Sequence, residues 1–302
     1  MQQPGGEPVP TLAVTIAEVR AAIAAAKEDA RDRGVAEPLV ALVPTMGALH
    51  RGHLALVERA QQLADVVVVS VFVNPLQFSE AEDLERYPRD LETDLATLET
   101  VDRPGSTSIV FAPSAAEMYP DGKTQTKVSA GAIGNSLEGR SRAGHFDGVL
   151  VVVDKLLNIV QPDSVLFGQK DAQQVFVVSR MVRDLNIPVT VEVVETVRED
   201  DGLALSSRNR FLDERERLAA RVLSRTLEAA ESAAVSGIDA VIAAAQSAGM
   251  GEPLVSLEYL SVVNPATFLP VDDGYHGRAI VLVAARVGNT RLIDNEAVYL
   301  GG

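Results

Sequence analysis

The chain has 302 residues, a formal net charge of −15, 47% hydrophobic residues and neither cysteine nor tryptophan. That length accommodates one large or two medium domains. The missing cysteine excludes disulfides, thiolate zinc sites and a cysteine nucleophile, and fits a reducing cytoplasm. The acidic balance disfavours nucleic acid, whose phosphates call for Lys and Arg, and it disfavours an anionic membrane surface.

Residues 1–10 are rich in Pro, Gly and Gln and lack an apolar signal core, so a frayed start is expected. Residues 16–29 mix Ala with charge and predict a surface helix. The apolar run 38–43 predicts a buried strand, and the periodicity of 54–64 predicts a helix. Between them lies Pro44-Thr45-Met46-Gly47-Ala48-Leu49-His50-Arg51-Gly52-His53. In open α/β sheets ligands sit beyond the carboxyl ends of strands, and a helix N-terminus favours phosphate. Gly47 and Gly52 permit close approach of the backbone. His50 and His53 on one helical turn would lie about 5–6 Å apart on a shared face, which suits two imidazoles on one polyphosphate. On local chemistry alone the glycines equally make a turn, and a histidine at a helix start is equally a cap.

The run 65–73 is nearly all Val, Ser and Phe, the signature of a strand buried on both faces, and it ends in Asn74-Pro75-Leu76-Gln77-Phe78. Residues 80–101 predict an acidic helix interrupted at Pro88. A short strand is expected at 108–112, a turn at 118–122 and a strand with an exposed face at 125–129. Residues 131–146 read as loop, carrying Arg140, Arg142 and His145; 149–160 read as an apolar helix. A strand at 165–167 ends in Gly168-Gln169-Lys170-Asp171, followed by a helix at 173–185 and a strand at 189–194. This alternation predicts a Rossmann-like, doubly wound parallel sheet over residues 1–195. After Glu195 the pattern changes: a polar segment at 196–210, helices at 212–234 and 238–248, then strands at 255–263, 279–287 and 291–293, with a hairpin at Gly288-Asn289-Thr290. Residues 196–302 are therefore expected to form a smaller α+β domain with an antiparallel sheet.

Lys170 at a strand end is either solvated or a point charge for phosphate. Asp171 is either a helix cap or an acceptor for a sugar hydroxyl. Gln77 and Gln174 are neutral groups able to orient a hydroxylated acid, and equally ordinary surface residues. Ser206-Ser207-Arg208-Asn209 is either a capping loop or a clamp on phosphates. No His/Asp/Glu cluster has the spacing of a protein metal site, so a metal is expected as Mg²⁺ carried by nucleotide phosphates.

Taken together these segments carry a resemblance. His50-Arg51-Gly52-His53 resembles the His-x-Gly-His signature of the nucleotidylyltransferase superfamily. The segment 44–53 and Phe72-Val73-Asn74-Pro75-Leu76-Gln77-Phe78 are similar to the pantoate–β-alanine ligase family. So are Arg86-Tyr87-Pro88-Arg89, Tyr119-Pro120-Asp121-Gly122, the segment 167–174 and the segment 198–209, in that family's order. The resemblance runs from about residue 38 to 295.

It implies condensation of pantoate with β-alanine through a pantoyl adenylate, with ATP as substrate, Mg²⁺ on its phosphates, and AMP and pyrophosphate released. By resemblance His50, His53, Lys170, Ser206, Ser207 and Arg208 are the catalytic set on the phosphates. Pro44, Met46, Gly47, Gly52, Gly168, Asp171, Val197 and Leu205 complete the ATP site. Pro44, Met46, Phe72, Asn74, Gln77, Arg142, His145, Phe167 and Gln174 take pantoate. The resemblance also implies a homodimer and a lid role for residues 196–302.

Two residues depart from the pattern: Gln169 stands where an acid is expected, and Leu205 where methionine is frequent. Two other readings compete. A transferase acting on a phosphorylated acceptor would need more basic residues. A sensor with a decayed site would have lost His50, His53, Lys170 or Arg208 first.

Overall fold

The structure, a computed structural model, describes residues 10–78, 84–85, 87–101, 103, 106–122 and 124–301. Most of the expected frayed start, Arg86, and residues 80–83 of the expected acidic helix lie outside the described residues. The chain divides into two compact units, Met1–Gly168 with Val177–Val194 and Gln169–Phe176 with Glu195–Gly302.

The first unit holds a six-stranded, all-parallel sheet. Its strands are β1 (Thr11–Ala13), β2 (Val40–Thr45), β3 (Val66–Val71), β4 (Thr107–Phe111), β5 (Ser164–Gly168) and β6 (Thr190–Val194), in the order β1-β4-β3-β2-β5-β6. Its helices include α1 (Ile16–Asp32), α2 (Arg51–Leu63), α3 (Leu91–Glu99) and α4 (His145–Val160); α5 (Ala172–Asp184) crosses the division after Phe176. β2 and β3 are buried on both faces because nearly every residue is Val, Leu or Ala. Ala41, Val43, Val67, Val69, Val110 and Leu166 pack on Leu56, Val57 and Ala60 of α2 and Leu98 of α3. The opposite face takes α1 and α4.

Strand order reverses at β2, which pairs with β3 on one side and β5 on the other. In open sheets of this kind, ligands bind outside the carboxyl ends of the strands flanking such a switch point, here β2 and β5. The loops starting at residues 46 and 169 leave those ends.

Two expectations in this unit fail. Residues 125–129 form no strand: four of the five are exposed, and Val128, half-buried, is too little apolar surface to hold a pair. The segment 131–146 is more ordered than a loop. It carries a 3₁₀ turn at Ile133–Asn135 and a helical turn at Glu138–Ser141, and α4 begins at His145, directly after Gly144 in the left-handed region (φ 75°).

The second unit pairs β7 (Val255–Val263), β8 (Gly277–Val287) and β9 (Thr290–Leu300) as an antiparallel sheet. α6 (Glu214–Ala220), α7 (Val222–Ala233) and α8 (Ile238–Gly249) accompany it. Leu223, Leu227, Ala230, Val241 and Ala245 share one core with Val281, Val283 and Ala285. The helix expected at 212–234 is broken at Arg221, whose guanidinium donates to the Asp201 carbonyl. β9 runs on to Leu300 rather than stopping at Ile293. Asp294 and Asn295 interrupt its apolar pattern yet are buried, at 3% and 1% exposure. Among the described residues no helix is long and apolar enough to cross a membrane.

Candidate functional site

The loop after β2 starts with a hinge of fixed hand. Gly47 (φ 79°) and Ala48 (φ 52°) are both left-handed. A Cβ on Gly47 would lie 2.7 Å from Asp94 Oδ2, so glycine is required there twice over. Asp94, buried on α3, accepts from the Ala48 N–H at 3.1 Å and the Leu49 N–H at 2.7 Å. The Thr45 hydroxyl donates to the Ser70 carbonyl at 2.7 Å and accepts from the Gly47 N–H at 3.2 Å.

This frame delivers His50 as the N-cap of α2. His50 Nδ1 accepts from the Gly52 N–H at 3.1 Å, and His53 Nδ1 accepts from the His50 N–H at 3.3 Å. The rings lie 4.0 Å apart with 30° between their planes. A neutral imidazole that accepts at Nδ1 carries its proton at Nε2. Both rings thus carry their proton on Nε2, beside the positive end of a 13-residue helix at the sheet's switch point. The capping reading of these histidines holds, and the cap bonds fix which way each Nε2 faces. Pro44, Met46 and Gly52 lie half-buried along this loop.

The turn after β3 is built as tightly. Asn74, fully buried, caps the 3₁₀ turn Pro75–Gln77. Its Nδ2 donates to Gln77 Oε1 and to the Gly148 carbonyl, both at 3.0 Å; its Oδ1 accepts from the Tyr119 hydroxyl at 2.9 Å and the Leu76 N–H at 3.3 Å. Gly148 on α4 lets this turn approach, since a Cβ there would lie 2.1 Å from the Leu76 carbonyl oxygen. His145 Nδ1 donates to the Gln77 carbonyl at 2.9 Å, Arg142 Nη2 donates to the same oxygen at 3.4 Å, and Arg142 Nη1 donates to His145 Nε2 at 3.1 Å. Burial pushes the Tyr119 phenol up to about 12, so it stays a donor at neutral pH. The Phe72 ring lies 6.1 Å from the Tyr119 ring, and Phe72 and Phe167 are both buried. Gly168 ends β5.

In the second unit, Gln169–Asp171 is a 3₁₀ turn held from β9. Asn295 Nδ2 donates to the Gln169 carbonyl at 2.9 Å and the Lys170 carbonyl at 2.8 Å. Lys170 Nζ sits 3.4 Å from Asp171 Oδ2. Lys170, Ser206 and Arg208 line one small cavity with Asn209, Arg291 and Asp294. Ser206 caps the 3₁₀ turn Ser207–Phe211 by accepting from the Arg208 N–H at 3.2 Å. The Leu205 N–H donates to the Val197 carbonyl at 2.9 Å, closing a hairpin around 198–204. Gln174 is half-buried on the first turn of α5.

Ion pairs brace this hairpin. Arg198 reaches Asp294 at 2.6 Å and Glu296 at 3.6 Å; Arg217 reaches Glu199 at 2.8 Å and Asp201 at 3.1 Å. The Arg217 hydrogen bond, with lesser help from Asn209, holds the Glu199 carboxyl below its ordinary value. Among the described residues no group of three or more His, Asp or Glu is gathered as metal ligands would be.

Three residues that hold these loops show no such role in a local window. Asp94 reads as one acid in an acidic helix. Tyr119 reads as part of a turn and of a family-like segment, and Asn295 lies just past the expected strand 291–293.

The chain matches the family model described as pantoate-beta-alanine ligase over residues 11–297. It is 58% identical over 261 residues to a pantothenate synthetase of Leifsonia xyli subsp. xyli, covering 86% of this chain and 89% of that one. The crystal structure of pantothenate synthetase from Thermus thermophilus superposes with a TM-score of 0.83 at 46% identity, covering 95% of this chain and 98% of that one. That of the pantoate-beta-alanine ligase from Francisella tularensis, complexed with beta-gamma ATP and beta-alanine, superposes with a TM-score of 0.73 at 32% identity, covering 95% and 97%.

Proposed function

The chain belongs to the pantoate–β-alanine ligase family, and on that premise we propose that it joins pantoate to β-alanine in two ATP-dependent steps. In the first, a pantoate carboxylate oxygen attacks the α-phosphorus of ATP, the α–β phosphoanhydride bond breaks, and pyrophosphate leaves. In the second, the β-alanine amine attacks the acyl carbon of pantoyl adenylate, the acyl–oxygen bond breaks, AMP leaves, and the amine gives up a proton. ATP enters with Mg²⁺ on its phosphates.

The observation that carries this reading is the His50–His53 pair, two Nε2–H donors preset by main-chain bonds at the start of α2. Charge builds on the phosphates as the α-phosphorus is attacked, and donors fixed in advance stabilise it without reorganising. Lys170, Ser206, Ser207 and Arg208 serve the same phosphates. Gly47, Gly52, Gly168 and Asp171 take the ribose and phosphate backbone, and the hairpin at Val197 and Leu205 takes the adenine. Gln77 and Gln174 orient pantoate against an apolar wall of Pro44, Met46, Phe72 and Phe167, with Arg142 and His145 behind Gln77. Residues 196–302 act as a lid over a water-sensitive adenylate. The enzyme works in the cytoplasm as a homodimer.

The test is isotope exchange. With pantoate present and β-alanine absent, labelled pyrophosphate should enter ATP, because the first step completes before the amine arrives. A transferase acting on a phosphorylated acceptor would give no exchange with pantoate, and a sensor none with any acid. Folded, ATP-binding protein without pantoate-dependent exchange would sink this reading.

A further inference from the structure

The buried amide network behind Gln77 has only one consistent assignment of donors and acceptors. The Leu76 N–H can only donate, so the Asn74 atom facing it at 3.3 Å is Oδ1. The Gly148 carbonyl can only accept, so the atom facing it at 3.0 Å is Nδ2. Two main-chain groups therefore orient the Asn74 amide without reference to any side chain. The second Nδ2 hydrogen then points at Gln77, whose facing atom must be Oε1. The Tyr119 hydroxyl, 2.9 Å from Asn74 Oδ1, must donate.

Asn74 thereby uses both of its hydrogens and both lone pairs, and it is 0% exposed. It has no bonding capacity left for a ligand. Gln77 is held at three further points: its N–H donates to the Asn74 carbonyl at 3.2 Å, and its own carbonyl accepts from His145 and Arg142. With the main chain fixed and Oε1 engaged, the part of the amide still to be used is the NH₂. Among the described residues none accepts from Gln77 Nε2.

We propose that Tyr119 is a positioning residue: acting through Asn74, it locks the Gln77 amide with its NH₂ outward, so that Gln77 meets the substrate acid as a donor to a carboxylate oxygen. This rests on the family reaction proposed above and specifies the polarity of one of its contacts. A Gln77 amide turned over would aim an oxygen at the carboxylate and repel it. Removing the phenol oxygen leaves one lone pair of a buried acceptor unpaired and only the longer Leu76 bond in place. With the Gly148 and Leu76 bonds remaining, the Asn74–Gln77 pair is held less firmly, and the flipped Gln77 state gains population. The aromatic ring would stay, with its contacts to Phe72 and to the Lys155 ammonium 5.6 Å away.

A double-mutant cycle tests this, read by pyrophosphate exchange with pantoate and ATP titrated separately. Tyr119→Phe should raise the pantoate KM about 10-fold, as for a buried acceptor left unpaired, while the ATP KM moves less than about twofold. Gln77→Ala should raise the pantoate KM about 100-fold, and adding Tyr119→Phe to it should change little, because the two act as one unit. Independent effects in the double variant, or an equal rise in both KM values for Tyr119→Phe, would overturn the proposal. Gln77→Glu keeps an acceptor for Asn74 but turns a carboxylate on the substrate, so it should fare no better than Gln77→Ala; near-normal exchange would mean that the amide oxygen faces the ligand.

The lock is also readable without substrate. In ¹⁵N-labelled protein the Gln77 side-chain NH₂ should give one sharp signal pair that broadens in Tyr119→Phe. Unchanged signals would overturn the proposal whatever the substrate. Signals that respond in a chain showing no pantoate-dependent exchange would support the lock and sink the reaction assigned to it.

Discussion

The β2–α2 loop of the first unit and the 198–204 hairpin of the second are held by opposite means. The loop is held by main-chain geometry and hydrogen bonds to main-chain N–H groups: two left-handed residues, histidine caps, and one buried carboxylate on two N–H groups. The hairpin is braced by ion pairs whose side chains are mostly a quarter to a third exposed, Asp294 being the buried exception. Short hydrogen bonds to main-chain groups are little affected by salt, whereas partly exposed ion pairs are screened by it. The difference makes the loop's framework less sensitive to salt than the hairpin's.

The largest effect should separate His50 from Lys170. Each Ala variant should lose 10²-fold or more in exchange rate, since one preorganised contact to developing charge is worth about 2.7–4 kcal/mol. Only His50→Ala should also unfold more easily, by about 1 kcal/mol, because it removes a helix cap. Equal stability loss in Lys170→Ala, measured by denaturant titration, would erase the distinction between a scaffold residue and a ligand residue.

Next comes Gly47→Ala. The added methyl meets Asp94 Oδ2 at 2.7 Å in a conformation that L-residues avoid, so about 1–3 kcal/mol of stability should be lost. The rate should fall with it as the His50–His53 pair shifts. Normal exchange in a destabilised variant would mean that the loop's shape does not set the donors.

The smallest effect is acidic loosening of the hairpin. Glu199 has its folded value depressed, chiefly by the Arg217 hydrogen bond. Its contribution is present above the unfolded carboxylate value, 4.5, and is lost as pH falls through the lower folded one. Hydrogen exchange over 197–205 should therefore quicken below about pH 4.5, with the N–H groups of Ala48 and Leu49 as the comparison. Arg217→Met removes the chief cause of the depression, so it should shrink that pH-dependent change. Loosening that begins first at Ala48 and Leu49 would reverse the comparison.

Much of this was legible in the sequence where a local pattern decides the outcome. β2 and β3 announce themselves because burial on both faces demands continuous apolar runs. The histidine pair, Lys170 and the Ser206–Arg208 segment stand out because their residue types are unusual at strand ends and helix starts. What escaped depends on distant partners. β9 looked finished at Ile293 because Asp294 and Asn295 are polar. Their partners, Arg198 and the turn at Gln169 and Lys170, lie 96 to 126 residues away in sequence. Residues 125–129 read as a strand with an exposed face but bring too little apolar surface to be held as one. Asp94 and Tyr119 act across 46 and 45 residues, beyond any window in which a motif is read.

The Asn295 clamp also sets an order of assembly during synthesis. The turn bearing Lys170 takes two main-chain anchors from a residue 125 positions later in the chain. At ribosomal speeds of about 5–20 residues per second, that anchor emerges roughly 6–25 s after the lysine. The histidine loop draws its own anchor, Asp94, from only 45 residues downstream of Leu49. A nascent chain thus sets its histidine loop early and can fix the turn bearing Lys170 only once Asn295 has emerged, so that turn waits for its anchors well after the loop is in place.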